Sequence, residues 1–170
     1  MNWFNETAKV ENVAISDVSG SATLNVLKDY TGSSSMHTME KLDSYLGHTM
    51  KVEANKQISM PTISIDEYCK KNGISSIDLI KMDIEGFEEK AYKGMKNIVK
   101  KSANLKFFIE FTKDGYENPE EFYKRMLADF GYVYLFGENG QLVAPKDNSY
   151  NGVVGGSSVW TMLVFTKRPI

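Results

Sequence analysis

Histidine, cysteine and proline are scarce in this chain, and each scarcity closes off a kind of chemistry. Cys69 is the only cysteine, and His37 and His48 are the only histidines. A single thiol cannot close an intrachain disulfide, and a cysteine- or histidine-rich metal site has too few ligands. There are four prolines, and no Pro-rich linker, low-complexity tract or internal repeat breaks the chain. No apolar run approaches the ~18 residues of a membrane span, so no membrane partner is expected. The opening stretch MNWFNETAKVENVAISD mixes polar and apolar types, unlike the charged-then-apolar order of a signal peptide. Neither sign of charge dominates: 20 Lys+Arg stand against 22 Asp+Glu, a formal net charge of -2. With no general basic field, nucleic acid is not an expected partner. The clusters Lys93-Lys96-Lys100-Lys101 and Lys167-Arg168 read as a solvated helix face and a charged terminus. No Gly-x-Ser-x-Gly elbow, Gly-x-x-x-x-Gly-Lys loop or Gly-x-Gly-x-x-Gly turn is present.

What remains is an ordinary globular composition, 42% hydrophobic and 25% charged over 170 residues. That length suits one domain with a sizeable core in a reduced, cytoplasmic protein. Lys9–Ser16 and Ser21–Lys28 read as two strands joined by a turn at Asp17-Val18-Ser19-Gly20. Residues 30–55 form the least regular stretch, a loop or flap with room for a short helix at Met39–Leu46. Ile58–Ile63 reads as a further strand. Ser64-Ile65-Asp66-Glu67 then has the capping-box pattern, and its helix should stop at Asn72-Gly73.

The clearest unit follows. Ile77–Met82 is a short apolar strand, and Asp83-Ile84-Glu85-Gly86 leads into a helix with a buried stripe at Phe87, Ala91, Met95 and Ile98. Leu105–Phe111 is the next strand. Asn118 should cap a helix with Pro119 in its first turn and a core face of Phe122, Met126, Leu127 and Phe130, closed by Gly131. Tyr132–Phe136 and Ser158–Thr166 are the last strands, with a short one at Gln141–Val143. Gly152–Gly156 reads as a loose loop, and Trp160 as a packing residue. The alternation predicts an α/β fold with a largely parallel sheet and an antiparallel pair at one edge.

Ligands of such sheets bind beyond the carboxyl ends of the strands. Asp83, Glu85 and Glu110 fall there, and adjacent strands ~4.8 Å apart would let them share a cleft. Such carboxylates can act as a general base on a hydroxyl, bind a hard metal ion, or hydrogen-bond an amine or sugar. A structural role is open too: Asp83 can cap the helix and Glu85 can oppose its dipole. Glu110, inside an apolar strand, needs a partner or a wet cleft. Gly86 permits close approach of a ligand or another backbone. His37 and His48 lie in the irregular stretch, where a solvent-facing histidine is the ordinary role.

The run ISIDEYCKKNGISSIDLIKMDIEGFEEKAYKGM, residues 63–95, resembles the signature of FkbM-type methyltransferases. Ser64, Ile65 and Asp66 match its helix start, Lys81, Asp83, Glu85, Gly86 and Glu88 match its strand–turn–helix motif, and Gly94 matches the glycine that ends its helix. FFIEF at 107–111, VAISDVSGSATLNV at 13–26, read as a hairpin, and Phe122–Phe136 match neighbouring parts, so the resemblance spans about residues 8–136. It implies a Rossmann-like class I methyltransferase sheet with helices on both faces, S-adenosylmethionine as cofactor, and O-methylation of a sugar or small-molecule hydroxyl. By that resemblance Asp83 orients or deprotonates the hydroxyl, Glu85 and Glu110 line its pocket, and Lys81 pairs with an acid. Lys81, Gly86 and His37 are the substrate-binding candidates. Ala14, Ile15 and Ser16 match the strand end that contacts adenine, and no metal is assigned. The family's opening strand and its D-x-G-A-N-x-G turn have no counterpart. A sheet lacking its central strand is therefore expected, with Trp3–Ser16 redeployed, another chain completing it, or a fragment rearranged to be stable. Self-association through open sheet edges follows as an expectation, and an inactive, truncated ligand-binding or oligomeric module is the alternative function.

Overall fold

The computed structural model describes residues 8–29, 31–46, 51–155 and 160–170. Trp3, His48, Gly156 and Ser158 lie outside the described residues.

Strands β1 (Ala14–Ile15), β2 (Gly20–Leu27) and β3 (Ala54–Ile63) form a three-stranded sheet in the order β1-β3-β2. The expected hairpin of the first two strands is corrected: β3 lies between them, parallel to β1 and antiparallel to β2. The reason is length. The ten residues of β3 pair with β2 from Gly20↔Thr62 onward, whereas β1 offers only two residues. Helix α1 (Met39–Leu46) sets Leu42 against Leu27, both buried, with Met39 and Val52 beside them.

In α2 (Ile65–Lys71) the Ser64 hydroxyl accepts the Glu67 amide at 3.2 Å. The return half of the capping box gives way to other partners: the Glu67 carboxylate accepts from the Ser19 hydroxyl and pairs with Lys71 at 2.8 Å. Gly73 ends the turn at φ 67°. After β4 (Leu79–Met82), the single expected helix is two, α3 (Glu88–Lys93) and α4 (Lys96–Lys101). Gly94 makes the break. Its carbonyl accepts the Asp66 amide at 2.9 Å, and a Cβ there would stand 2.4 Å from the Ser16 carbonyl oxygen. Asp66 in turn caps α4, accepting the Asn97 and Ile98 amides at 3.0 and 2.8 Å. The stripe of Phe87, Ala91, Met95 and Ile98 is buried across the break.

Strands β5 (Lys106–Thr112), β6 (Tyr132–Phe136), β7 (Leu142–Val143) and β8 (Trp160–Thr166) join β4 in a five-stranded sheet ordered β4-β5-β8-β6-β7. Helix α5 (Pro119–Phe130) starts at Pro119 and ends at Gly131, φ 92°. The expected side-chain cap from Asn118 is absent. Glu89 instead accepts the Glu117 amide at 3.0 Å just ahead of the helix.

Two expectations about this sheet are corrected. It is not largely parallel in its pairing: β4–β5 is the parallel pair, and β5–β8, β6–β8 and β6–β7 are antiparallel, so β4, β5 and β6 point one way and β7 and β8 the other. Nor, among the described residues, do helices cover both faces. Phe107, Ile109, Phe111, Val133, Leu163 and Phe165 join residues of α2, α3, α4 and α5 in one core cluster, and all six point to the same side. Each buried Phe there contributes roughly 1.5–3 kcal/mol. The alternate residues, Phe108, Glu110, Met162 and Trp160, take no part in that cluster. Trp160, expected to pack, is 54% exposed. Among the described residues no helix is long and apolar enough to cross a membrane.

Candidate functional site

The segment after β4 is held from three directions. Glu88, wholly buried in the first turn of α3, accepts the Ile84 amide through Oε1 at 2.8 Å. From the other side the Ser35 hydroxyl donates to the Glu85 carbonyl at 2.9 Å, and His37 Nε2 lies 2.8 Å from the Gly86 carbonyl. A carbonyl only accepts, so Nε2 carries the proton in that bond. These contacts hold Glu85 in the left-handed region at φ 57°, a conformation that costs a non-glycine residue roughly 1–2 kcal/mol. Gly86 follows at φ 84°, and a Cβ there would stand 3.2 Å from His37 Nε2. The support reaches back into the first sheet. Asn25, buried on β2, donates through Nδ2 to the His37 carbonyl at 2.7 Å, exchanges backbone bonds with Ser35, and accepts from Gln57 at 2.8 Å.

His37 is thus no solvent-facing residue. Its ring meets Phe87 edge-on at 5.3 Å, and burial pulls its pKa below the ordinary histidine value.

The turn delivers two carboxylates to a third. The parallel register Met82↔Ile109 places Asp83 beside Glu110 at the carboxyl ends of β4 and β5. One oxygen from each of Asp83, Glu85 and Glu110 falls within 4.8 Å of the others. Lys81 Nζ is 2.6 Å from Asp83 Oδ2. Burial, then the charges of Glu110, Asp83 and Glu88, pushes the Glu85 carboxyl up to about 7. Burial and then Asp83 raise Glu110 as well. Such a group can take up a proton near neutrality, grip a hydroxylated ligand, or ligate a hard cation.

Asp83 does not cap α3, whose N-cap position is Phe87.

Ser35 and Asn25 were not singled out from sequence, and Glu88 was named only as a match to the family motif, with no role. Glu88 carried a signal, because it falls on the helical stripe 84, 88, 91, 95, where a carboxylate needs a reason. Burial pushes it up to about 7. Among the described residues its Oε2 makes no hydrogen bond of good geometry, and the neighbouring Tyr116 hydroxyl donates to the Glu110 carbonyl at 3.0 Å.

Ala14 and Ile15 form β1, and Ser16 follows them. The Ser16 amide donates to the Ile63 carbonyl at 3.1 Å, and its hydroxyl donates to Asp17 at 2.9 Å. A cavity of about 260 Å³ opens at the next residue, bounded by Asp17, His37, Gly86, Phe87 and Tyr116 among others, and none of the three acids lines it. Pockets that enclose a drug-sized ligand run from roughly 300 to 1,000 Å³. This cavity falls just below that range.

Fold and site together describe a mixed α/β protein with an acidic, backbone-strained turn at the carboxyl ends of two parallel strands. The Methyltransferase FkbM domain matches residues 2–134, a range that holds the turn and Glu110, and the chain belongs to this family of methyltransferases. No curated protein and no solved structure matches the chain.

Proposed function

We propose that the chain serves O-methylation of a hydroxyl on a sugar or small molecule, with Asp83, Glu85 and Glu110 receiving the acceptor. The observation that carries this reading is the convergence of three carboxylates within 4.8 Å at the strand ends. Bound S-adenosylmethionine, the cofactor general to the family, would supply an already activated methyl group. The protein's own work is then alignment of the acceptor and removal of one proton. Asp83, fixed by Lys81, orients the hydroxyl. Glu85, poised at about 7, accepts its proton, and Glu110 completes the grip. Gly86 and His37 act by shaping the turn, which the bond between them supports. The adenine end of the cofactor is assigned to Ala14, Ile15 and Ser16, and support for it is the cavity that opens at Asp17. A Rossmann-like arrangement of the sheet is part of the same reading.

The test is methyl transfer from S-adenosylmethionine to a panel of sugar and phenolic hydroxyls, read as S-adenosylhomocysteine release. Asp83→Asn and Glu110→Gln should each lower the rate by about 100-fold or more. Absence of turnover, together with no heat on titrating the cofactor to millimolar concentration, defeats the reading. A second reading is a ligand-binding or oligomeric module without catalysis. Self-association is part of that module: β4 is an edge strand, and its Leu79 is 59% exposed. A sedimenting monomer at high concentration would rule it out.

A further inference from the structure

The face of the five-stranded sheet that carries no helix among the described residues is graded across its strands. Paired residues of neighbouring strands point to the same side, so the registers fix a row. Asp83 lies beside Glu110, Glu110 pairs with Met162, and one step past Leu135↔Leu163 Phe136 lies beside Met162. Leu142 pairs with Phe136 at the end. The row therefore runs from two carboxylates, over a thioether, to an aromatic ring. Phe108 flanks it on one side, 6.2 Å from Phe136 between ring centroids, and Trp160, opposite Thr112, flanks it on the other. Phe136 and Trp160 are 45% and 54% exposed.

The patch is bounded. Further along the same face Val164 and Tyr134 are buried, and the C-terminal residues fold back there. The Ile170 amide donates to the Tyr134 hydroxyl at 3.0 Å, and Thr166 Oγ1 donates to the Arg168 carbonyl at 2.7 Å. What stays open spans about three strands and four residues, on the order of 200 Å² from strand spacing and rise. A stable protein partner would cover roughly 800 Å². The scale is that of a small molecule.

We propose that the acceptor is amphipathic, with its hydroxyl at the carboxylates and a flat apolar body over Met162 and Phe136, flanked by Trp160 and Phe108. Two strand spacings separate Glu110 from Phe136, so the apolar body extends about 10 Å from the hydroxyl end. A hydroxylated ring bearing an aryl or alkyl substituent meets that description, and a free monosaccharide does not. This inference rests on the carboxylates being the acceptor site.

The probes are 4-nitrophenyl β-D-glucopyranoside and methyl β-D-glucopyranoside, titrated into the chain and followed by protein NMR shifts. The wild-type chain should bind the aryl glucoside at least about tenfold more tightly. Phe136→Ser and Trp160→Ser should each erase most of that preference and leave the methyl glucoside unchanged. Glu110→Gln should weaken both probes. Equal affinity of the wild-type chain for the two glucosides overturns the inference, and that comparison does not depend on any variant folding. Neither probe binding at about 20 mM overturns it too. A silent Glu110→Gln with active aromatic variants sinks the carboxylate reading under Proposed function and supports the apolar platform.

Discussion

Replacing Glu88 by glutamine tests whether a buried carboxyl without a counter-charge sets the pH dependence of stability. Glu88 is fully buried and pushed up to about 7 from an ordinary 4.5, with burial as the largest cause. A carboxyl raised on folding favours the protonated native state. Its contribution is fully present below the unfolded value of 4.5 and is lost as pH rises through about 7. The shift corresponds to roughly 3 kcal/mol lost between pH 4.5 and pH 8, as an order of magnitude. The Glu88→Gln substitution keeps the oxygen that accepts the Ile84 amide and removes the charge. Any cost of a poorly placed amide NH₂ is the same at both pH values, so the informative quantity is the difference between them. Urea unfolding of wild type and variant at pH 5 and pH 8, with a common m-value, supplies it. The wild type should lose stability over that span by about 1–3 kcal/mol more than the variant. Parallel loss in the two chains would refute the assignment and shift the titration to Glu85 and Glu110.

Three further outcomes follow from the geometry. Gly86→Ala forces a side chain to φ 84° and against His37, so it should cost about 2–3 kcal/mol in urea unfolding; a loss below about 0.5 kcal/mol would show the turn relaxes freely. Asp66→Ala uncaps α4 from a neighbouring helix and should lower stability by about 0.5–2 kcal/mol, with the change in amide protection confined to Asn97 and Ile98. Lys81 holds the Glu110 carboxyl lower than it would otherwise be, so Lys81→Met should move the Glu110 midpoint upward in a carbon-detected NMR titration, and a downward move would contradict the charge arrangement.

Much of the fold was legible from residue patterns. Alternation located β2, β5, β6 and β8, helical spacing located α5 and the stripe through α3 and α4, and Ser64 and Gly73 marked the ends of α2. The break at Gly94 was legible only through the family resemblance, since its physical cause is a Ser16 carbonyl far away in the chain. The acids were legible as a group because strand ends recur at carboxyl positions. Their bracing by Ser35 and His37 was not, because an irregular stretch gives no periodicity from which to place a side chain, and Asn25 on β2 showed its part only once its partner His37 was placed.

Sequence by itself determined the family motif, the placement of Asp83, Glu85 and Glu110 beyond two adjacent strands, and most element boundaries. These depend on interactions within a few residues, such as caps, turns and the two periodicities. Tertiary structure alone decided that β3 separates β1 from β2, that β8 runs antiparallel between β5 and β6, and that helices cover one face of the sheet. Strand pairing and face burial are contacts between distant segments, and the same alternating pattern is compatible with either neighbour and either covering. That choice joins the carboxylates to the open aromatic row of Met162, Phe136 and Trp160.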